Sequence, residues 1–191
     1  MCARKIDKYN EDMYNRNSAP GGGGSGMAAL TVKKRHTIRK DELAELYGLL
    51  GKEIGPSAEK YRSDWVEMAE IDAPYNLYLV DKKPLLMKSG GWVFPTVKGA
   101  IERPFPERNI VVDMGAVPFV AKGADVMRPG IVSVTDDIKK GSPAIVVDER
   151  HRKALAVVVA LIDVAAIRAE AKGKMAKMVH HVGDTLWALE L

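Results

Sequence analysis

The sequence predicts an α+β protein: a helix packed on an antiparallel sheet, followed by a region of short strands. Two observations carry this. Leu43, Leu46, Tyr47, Leu50 and Ile54 recur at helical spacing in "KDELAELYGLLGKEIG", between stretches that read as strands. After Ile110 the chain turns into short apolar runs separated by turn residues, a spacing that suits a small barrel or a sandwich. The chain has 191 residues, 47% hydrophobic and 28% charged, enough for one domain with a good core or for two small ones.

Residues 1–20 are polar, with near-balanced charge. Ile6, Tyr9 and Met13 keep a helical i, i+3, i+7 spacing, with Tyr14 beside them. So short a segment is not stable as a free helix. It is either a disordered tail or a peptide that orders by laying this stripe on another surface. Residues 21–26, "GGGGSG", are a flexible tether spanning roughly 14 Å. Met27 follows like a second start. The expectation is a natural protein starting there, with residues 1–20 an engineered fusion, most simply a partner's recognition peptide.

"TVKKRHTIRK" is basic, and the common parity of Val32, Lys34, His36 and Ile38 predicts an exposed or edge strand. The strong helix follows, with Asp41 and Glu42 at its positive end and Gly55-Pro56 as its stop. A weaker helix is expected in "SAEKYRS". "DWVEMAEID", "YNLYLVD" and "KPLLMKSG" form a meander of strands. "PTVKGAIE" is expected as a helix with Pro95 at its first position. "RPFPERN" reads as a boundary, dividing the chain into residues 27–108 and 109–191. Beyond it, "NIVVDMGA", "DVMRPGIVSV", "SPAIVVDE", "KALAVVVALID", "KMAKMVHHV" and "DTLWALEL" are six strand candidates, with one short helix in "VPFVAKG".

No apolar run reaches 18 residues, so a membrane span is not expected. The single cysteine, Cys2, excludes a disulfide framework and fits a cytoplasmic protein. His36, His151, His180 and His181 offer no zinc spacing. Nucleotide-loop, nucleophile-elbow and zinc-protease motifs are all absent. Asp136-Asp137 read as solvated turn residues rather than a catalytic dyad. His180 and His181, adjacent in a strand, point to opposite faces. No enzyme activity, cofactor or metal is expected. The net charge of +4 permits nucleic-acid binding without demanding it.

One stretch is specific. "VVDMGAVPFVAKGADVMRPGI" and the closing "HHVGDTLW" resemble the PUA domain, a pseudo-barrel RNA-binding module. The matching residues are Val112, Asp113, Gly115, Ala116; Gly123, Ala124, Asp125, Val126, Met127; Pro129, Gly130, Ile131; and His180, Gly183, Asp184, Leu186, Trp187. The preceding "GGWVFPTVKGAIERP", with Phe94, Pro95, Thr96 and Val97, is similar to the translation-associated multiple-copies-in-T-cell-malignancy family, in an archaeal form.

That resemblance implies a pre-PUA helix-and-sheet domain and a PUA pseudo-β-barrel. It also implies RNA binding in translation, at small-subunit ribosomal RNA or the tRNA acceptor end, during initiation or recycling. A density-regulated-protein-like factor is the implied partner. By the same resemblance, RNA would meet Lys122, Arg128, Lys174 and Lys177 and the glycine turns at Gly123 and Gly130, although each cation alone is an ordinary surface charge. Lys33, Lys34 and Arg35 fit a ribosomal RNA contact or, equally, a charged edge that discourages aggregation. An accessory tRNA-binding subunit of an RNA-modification enzyme and a plain protein-interaction module are the rival readings.

Overall fold

Five strands in sequence order make the first sheet: β1 (Val32–Thr37), β2 (Val66–Ile71), β3 (Asn76–Val80), β4 (Lys83–Ser89) and β5 (Trp92–Pro95), all antiparallel. The computed structural model describes residues 30–190. Ile6, Tyr9, Met13, Tyr14, the glycine tether and Met27 lie outside the described residues.

β1 is an edge strand, as its pattern predicts. Helix α1 (Lys40–Ile54) buries Leu46, Tyr47, Leu50 and Ile54. The carboxylate of Glu42 accepts the Arg39 backbone N–H at 2.9 Å, satisfying one donor at the helix entrance. Gly55 takes φ 49° and ends the helix, and Gly55–Tyr61 continues as a 3-10 segment in place of the second helix expected there. Tyr61 is fully buried, and its hydroxyl donates to Gly99 O and Arg103 O.

The expected helix at Pro95 starts later. Pro95 closes β5, a strand the sequence reading did not separate from its neighbours, and α2 spans Val97–Glu102. Thr96 caps α2 through Oγ1, which accepts Gly99 N at 3.0 Å. Here glycine is required by space. A Cβ on Gly99 would lie 2.1 Å from the carbonyl oxygen of Leu85, which is backbone and cannot swing aside. Gly99→Ala is therefore expected to destabilise the fold by about 1–3 kcal/mol through overpacking. Urea unfolding of the variant measures this; an unchanged midpoint would contradict it.

The second sheet has six strands in the order β7-β11-β10-β9-β6-β8. They are β6 (Asn109–Val112), β7 (Val126–Met127), β8 (Ile131–Val134), β9 (Pro143–Asp148), β10 (Ala154–Ala160) and β11 (Lys174–His181). Helices α3 (Val117–Val120) and α4 (Val164–Ala169) are inserted. β6 and β9 run parallel; the other pairs are antiparallel. Every antiparallel pair carries a register shift, and such irregularities bend strands toward closure. The result is the pseudo-barrel. "DVMRPGIVSV" is not one strand but two, β7 and β8, placed at opposite ends of the sheet with a 3-10 turn at Arg128–Gly130 between them.

The middle strands are buried on both faces. Ile110, Val112, Ala144, Val146, Ala156 and Val158 face the barrel interior. Val111, Ile145, Val147 and Val157 belong instead to the core of the first sheet, together with Phe105 and Leu186. This explains the unbroken apolar runs in "SPAIVVDE" and "KALAVVVALID", which periodicity alone cannot resolve into faces. "RPFPERN" separates the sheets in sequence but is itself packed: Phe105 is buried with its ring edge-on to Phe94 at 5.6 Å, and Arg108 is buried.

"DTLWALEL" is not a strand. Asp184 folds it into a tight turn by accepting Trp187 N at 2.8 Å, His181 N at 2.9 Å and His180 Nδ1 at 2.7 Å. Gly183 precedes it at φ 84°, and Leu186 plugs the shared core. The closing motif is thus a structural lock. Burial alone would raise the Asp184 carboxyl, but the His180 hydrogen bond and the Trp187 and His181 backbone donors hold it below the ordinary 3.8. A carboxylate held low stabilises the fold above its ordinary value and loses that contribution as pH falls through the depressed one. Asp184→Asn is expected to lower stability at neutral pH and to flatten its decline below pH 3.8. Urea midpoints across a pH series test this; a decline as steep as the parent's would refute it.

Candidate nucleic-acid interface

A groove of about 410 Å³ runs beside α3. Its floor and walls come from the turn after β6, from α3, and from β7 with the 3-10 turn that follows. Asp113 shapes the first turn: its Oδ1 accepts Ala116 N at 2.7 Å, and its backbone N–H donates to Gly130 O at 3.0 Å. A Cβ on Gly130 would stand 2.7 Å from that of Ala116, so only glycine lets the two turns touch. Gly123, at φ 86°, reverses the chain after α3 against the His181 imidazole. Gly130 therefore lets the two turns meet at the groove wall, while Gly123 makes room for the His181 side chain.

The four predicted cations differ in their engagement. Lys122 is exposed at the end of α3. Arg128 is half-buried; its backbone N–H donates to Gly173 O at 2.8 Å and its Nη1 to Ile131 O at 3.1 Å, while Nε is buried without a partner. Lys174 pairs with Asp125 at 2.6 Å, and the other Asp125 oxygen accepts Met178 N at 2.7 Å. Lys177 is half-buried further along β11. Arg128 stands in sequence between the groove-lining Met127 and Pro129, Lys122 follows α3, and Lys174 lies opposite Met127 on β11 with Lys177 further along it.

Lys33, Lys34 and Arg35 lie elsewhere, on the outer edge of the five-stranded sheet. Lys33 pairs with Asp72 at 2.9 Å, and Arg35 grips Glu67 with two hydrogen bonds. These cross-strand pairs account for much of the basic strand's charge. Asp136 and Asp137 form no dyad: Asp136 pairs with Arg168, and Asp137 accepts the Arg108 backbone N–H. His180 is buried and His181 half-buried, on opposite faces as expected.

Two exposed groove residues were not among the expected contacts, although Met127 stands in the PUA-like motif. Phe119 is 67% exposed and Met127 48% exposed, and both line the groove. The signal was present in part. A single helical turn buries only one side, and here Val120 takes that side, leaving Phe119 in water. Met127 alternates with buried Val126. Among the described residues, no cluster of His, Cys, Asp or Glu could hold a metal ion, and no helix is long and apolar enough to cross a membrane.

The PUA-domain family model matches residues 108–182. An uncharacterized protein of Methanocaldococcus jannaschii is 42% identical over 123 residues, covering 64% of this chain and 75% of that protein. Translation machinery-associated protein 20 of Saccharomyces cerevisiae is 30% identical over 130 residues, covering 64% of this chain and 71% of that protein. The chain belongs to the translation machinery-associated protein 20 family. This bears out the family resemblance read from the sequence. Among solved structures, a hypothetical protein from Pyrococcus horikoshii is similar with a TM-score of 0.75 and 33% identity, covering 81% of this chain and 98% of that one. A conserved PUA-domain protein from Thermoplasma acidophilum follows at 0.67 and 28%, with the same coverage. Both span the five-stranded sheet as well as the barrel, so the two-sheet arrangement is shared beyond the PUA segment of the translation machinery-associated protein 20 family.

Proposed function

We propose that this chain is an RNA-binding protein of translation and that the groove beside α3 is its principal RNA contact. The observation that carries the reading is the exposed aromatic Phe119 lining a groove to whose lining segments Lys122 and Arg128 are close in the chain. An aromatic face stacks a base, and flanking cations take phosphates. Gly123 and Gly130 let the RNA backbone approach closely. Lys174 and Lys177 extend the cationic track along β11. Membership in a family named for the translation machinery supports the cellular setting. The finer reading is contact with small-subunit ribosomal RNA or with the tRNA acceptor end, in initiation or recycling, alongside a density-regulated-protein-like factor.

Chemical footprinting on purified small subunits and on tRNA tests this. Protection of subunit RNA is the expected result. Protection of tRNA alone transfers support to the accessory-subunit reading, in which the chain delivers tRNA to a separate modifying enzyme. No protection of either RNA at moderate salt would overturn both.

A further inference from the structure

Trp65 is 52% exposed, yet it is held in place. Its backbone N–H donates to Ser63 Oγ at 3.0 Å, and its carbonyl accepts the Asp81 N–H at 3.3 Å and the Ser63 hydroxyl at 3.2 Å. Glu67 lies two residues further on, in β2. Glu67 in turn is clamped by Arg35, with Nε to Oε1 at 3.1 Å and Nη2 to Oε2 at 2.7 Å. The backbone at Trp65 is thus held while about half of the residue stays in water.

The surroundings decide what would cover it. The two residues before Trp65 are Ser63 and Asp64, and β2 begins directly after it at Val66. A groove of about 660 Å³ alongside is walled by Lys40, Arg62, Ser63 and Asp64 against Leu43, Ala44, Tyr47 and Gly48 of α1. Arg62 lies over the Tyr47 ring, 5.3 Å from its centroid. Lys82 lies in the turn between β3 and β4, next to Asp81, whose N–H meets the Trp65 carbonyl. The acids are largely matched: Glu67 by Arg35, Glu59 by Arg62, and Asp81 by Arg103 at 3.1 Å. Asp64 has no ion-pair partner among those resolved in the described residues. Lys40 and Lys82 likewise have none there, which leaves the surface a net positive balance. The core of a protein interface needs contiguous apolar surface and few charges. A single rigid aromatic face among cations is the arrangement that stacks a nucleobase while the cations meet its phosphates.

We propose that Trp65 is the base-stacking platform of a second single-stranded RNA contact, on the five-stranded sheet, with Arg62 and Lys82 taking the flanking phosphates. Because the backbone at Trp65 is already held, stacking has only the side chain left to order. The proposal rests on the RNA-binding reading above but uses a different face of the molecule.

The test uses the full chain and a fluorescein-labelled 12-nucleotide single-stranded RNA of mixed sequence, read by anisotropy. Trp65→Ala is expected to weaken binding about tenfold and Trp65→Phe, which keeps a ring, by less than threefold. The RNA is also expected to quench the fraction of tryptophan fluorescence that iodide reaches in the parent and not in Trp65→Phe. Far-ultraviolet circular dichroism and the melting temperature of both variants establish that the fold is kept. Parental affinity in Trp65→Ala, when the groove variant with Lys122, Arg128, Lys174 and Lys177 replaced has lost binding, would overturn the Trp65 proposal and leave the RNA reading standing. Failure of the parent itself to bind would overturn both. A photocrosslinker at position 65 that captures protein and no RNA would also overturn it.

Discussion

A chain in which Lys122, Arg128, Lys174 and Lys177 are all replaced by Glu is expected to bind RNA at least about 100-fold more weakly and with a flatter dependence on salt. Each phosphate neutralised on a single strand contributes about 0.7 to the slope of log affinity against log salt, so losing four contacts lowers it by up to about 3. The effect should be nearly uniform across sequences, because phosphate contacts position the RNA without reading it. Lys174 and Arg128 are among those that also serve the fold. Lys174 neutralises Asp125, which itself secures Met178 N, and Arg128 donates to Ile131 O. Reversing Lys174 would set two carboxylates together. A companion chain with Gln at all four positions separates the loss of charge from that repulsion. Filter binding from 50 to 300 mM salt reads both quantities, and an unchanged slope in a folded variant would place these residues off the RNA face.

Removing the Arg108 side chain is expected to cost about 3–5 kcal/mol of stability, the usual result of stripping one partner from a buried ion pair. Arg108 is 8% exposed and sits at φ 52° between the two sheets. Its Nη2 stands 3.1 Å from Glu53 Oε2, its Nε donates to Glu53 O at 3.2 Å, and its backbone N–H donates to Asp137 Oδ2 at 3.0 Å. Burial pushes the Glu53 carboxyl up, and Arg108 opposes that rise. In Arg108→Ala the opposition is gone. An acid held above its ordinary value stabilises the fold only while protonated, so the variant should lose more stability as pH rises through that range. Urea unfolding at pH 5 and pH 7 measures the difference. Adding Glu53→Gln should restore part of the loss at pH 7, since it removes the stranded charge. A single variant as stable as the parent would show that the pair contributes nothing.

How much of this was legible in the sequence follows from where each determinant lies. α1 was readable because Leu46, Tyr47, Leu50 and Ile54 sit on one local stripe. The glycine turns were readable because Gly115, Gly123 and Gly130 stand at fixed offsets from Asp113 and Met127. β5 was hidden because Trp92–Pro95 is buried on every residue, a pattern without alternation. The closing segment misled because Leu186 and Leu189 look like strand residues until Asp184 is seen to gather three donors around itself. The charge balance of the basic strand could not be read locally at all: Arg35 meets Glu67 across 32 residues and Lys33 meets Asp72 across 39. Of the groove's lining, Asp113, Gly115, Met127 and Gly130 were named from the motif. The exposure of Phe119 and Met127 was not readable, because it belongs to the assembled surface.

The second sheet, apolar on both faces, bears on how such a module could change hosts. A barrel that moves between proteins as an independent bead needs a water-compatible exterior. Here Val111, Ile145, Val147 and Val157 form one wall of the first sheet's core, and Phe105 and Leu186 fill the same seam. Cut out alone, the barrel would present a sticky flank; joined, it is one half of an inseparable pair. The seam also sets the ruler by which the molecule measures. The α3 groove and Trp65 are carried on two sheets fused through a common interior, so an RNA that engages both must offer its contacts at a set spacing. On the proposed reading, the spacing of the two contacts is then fixed by the shared core of the two sheets.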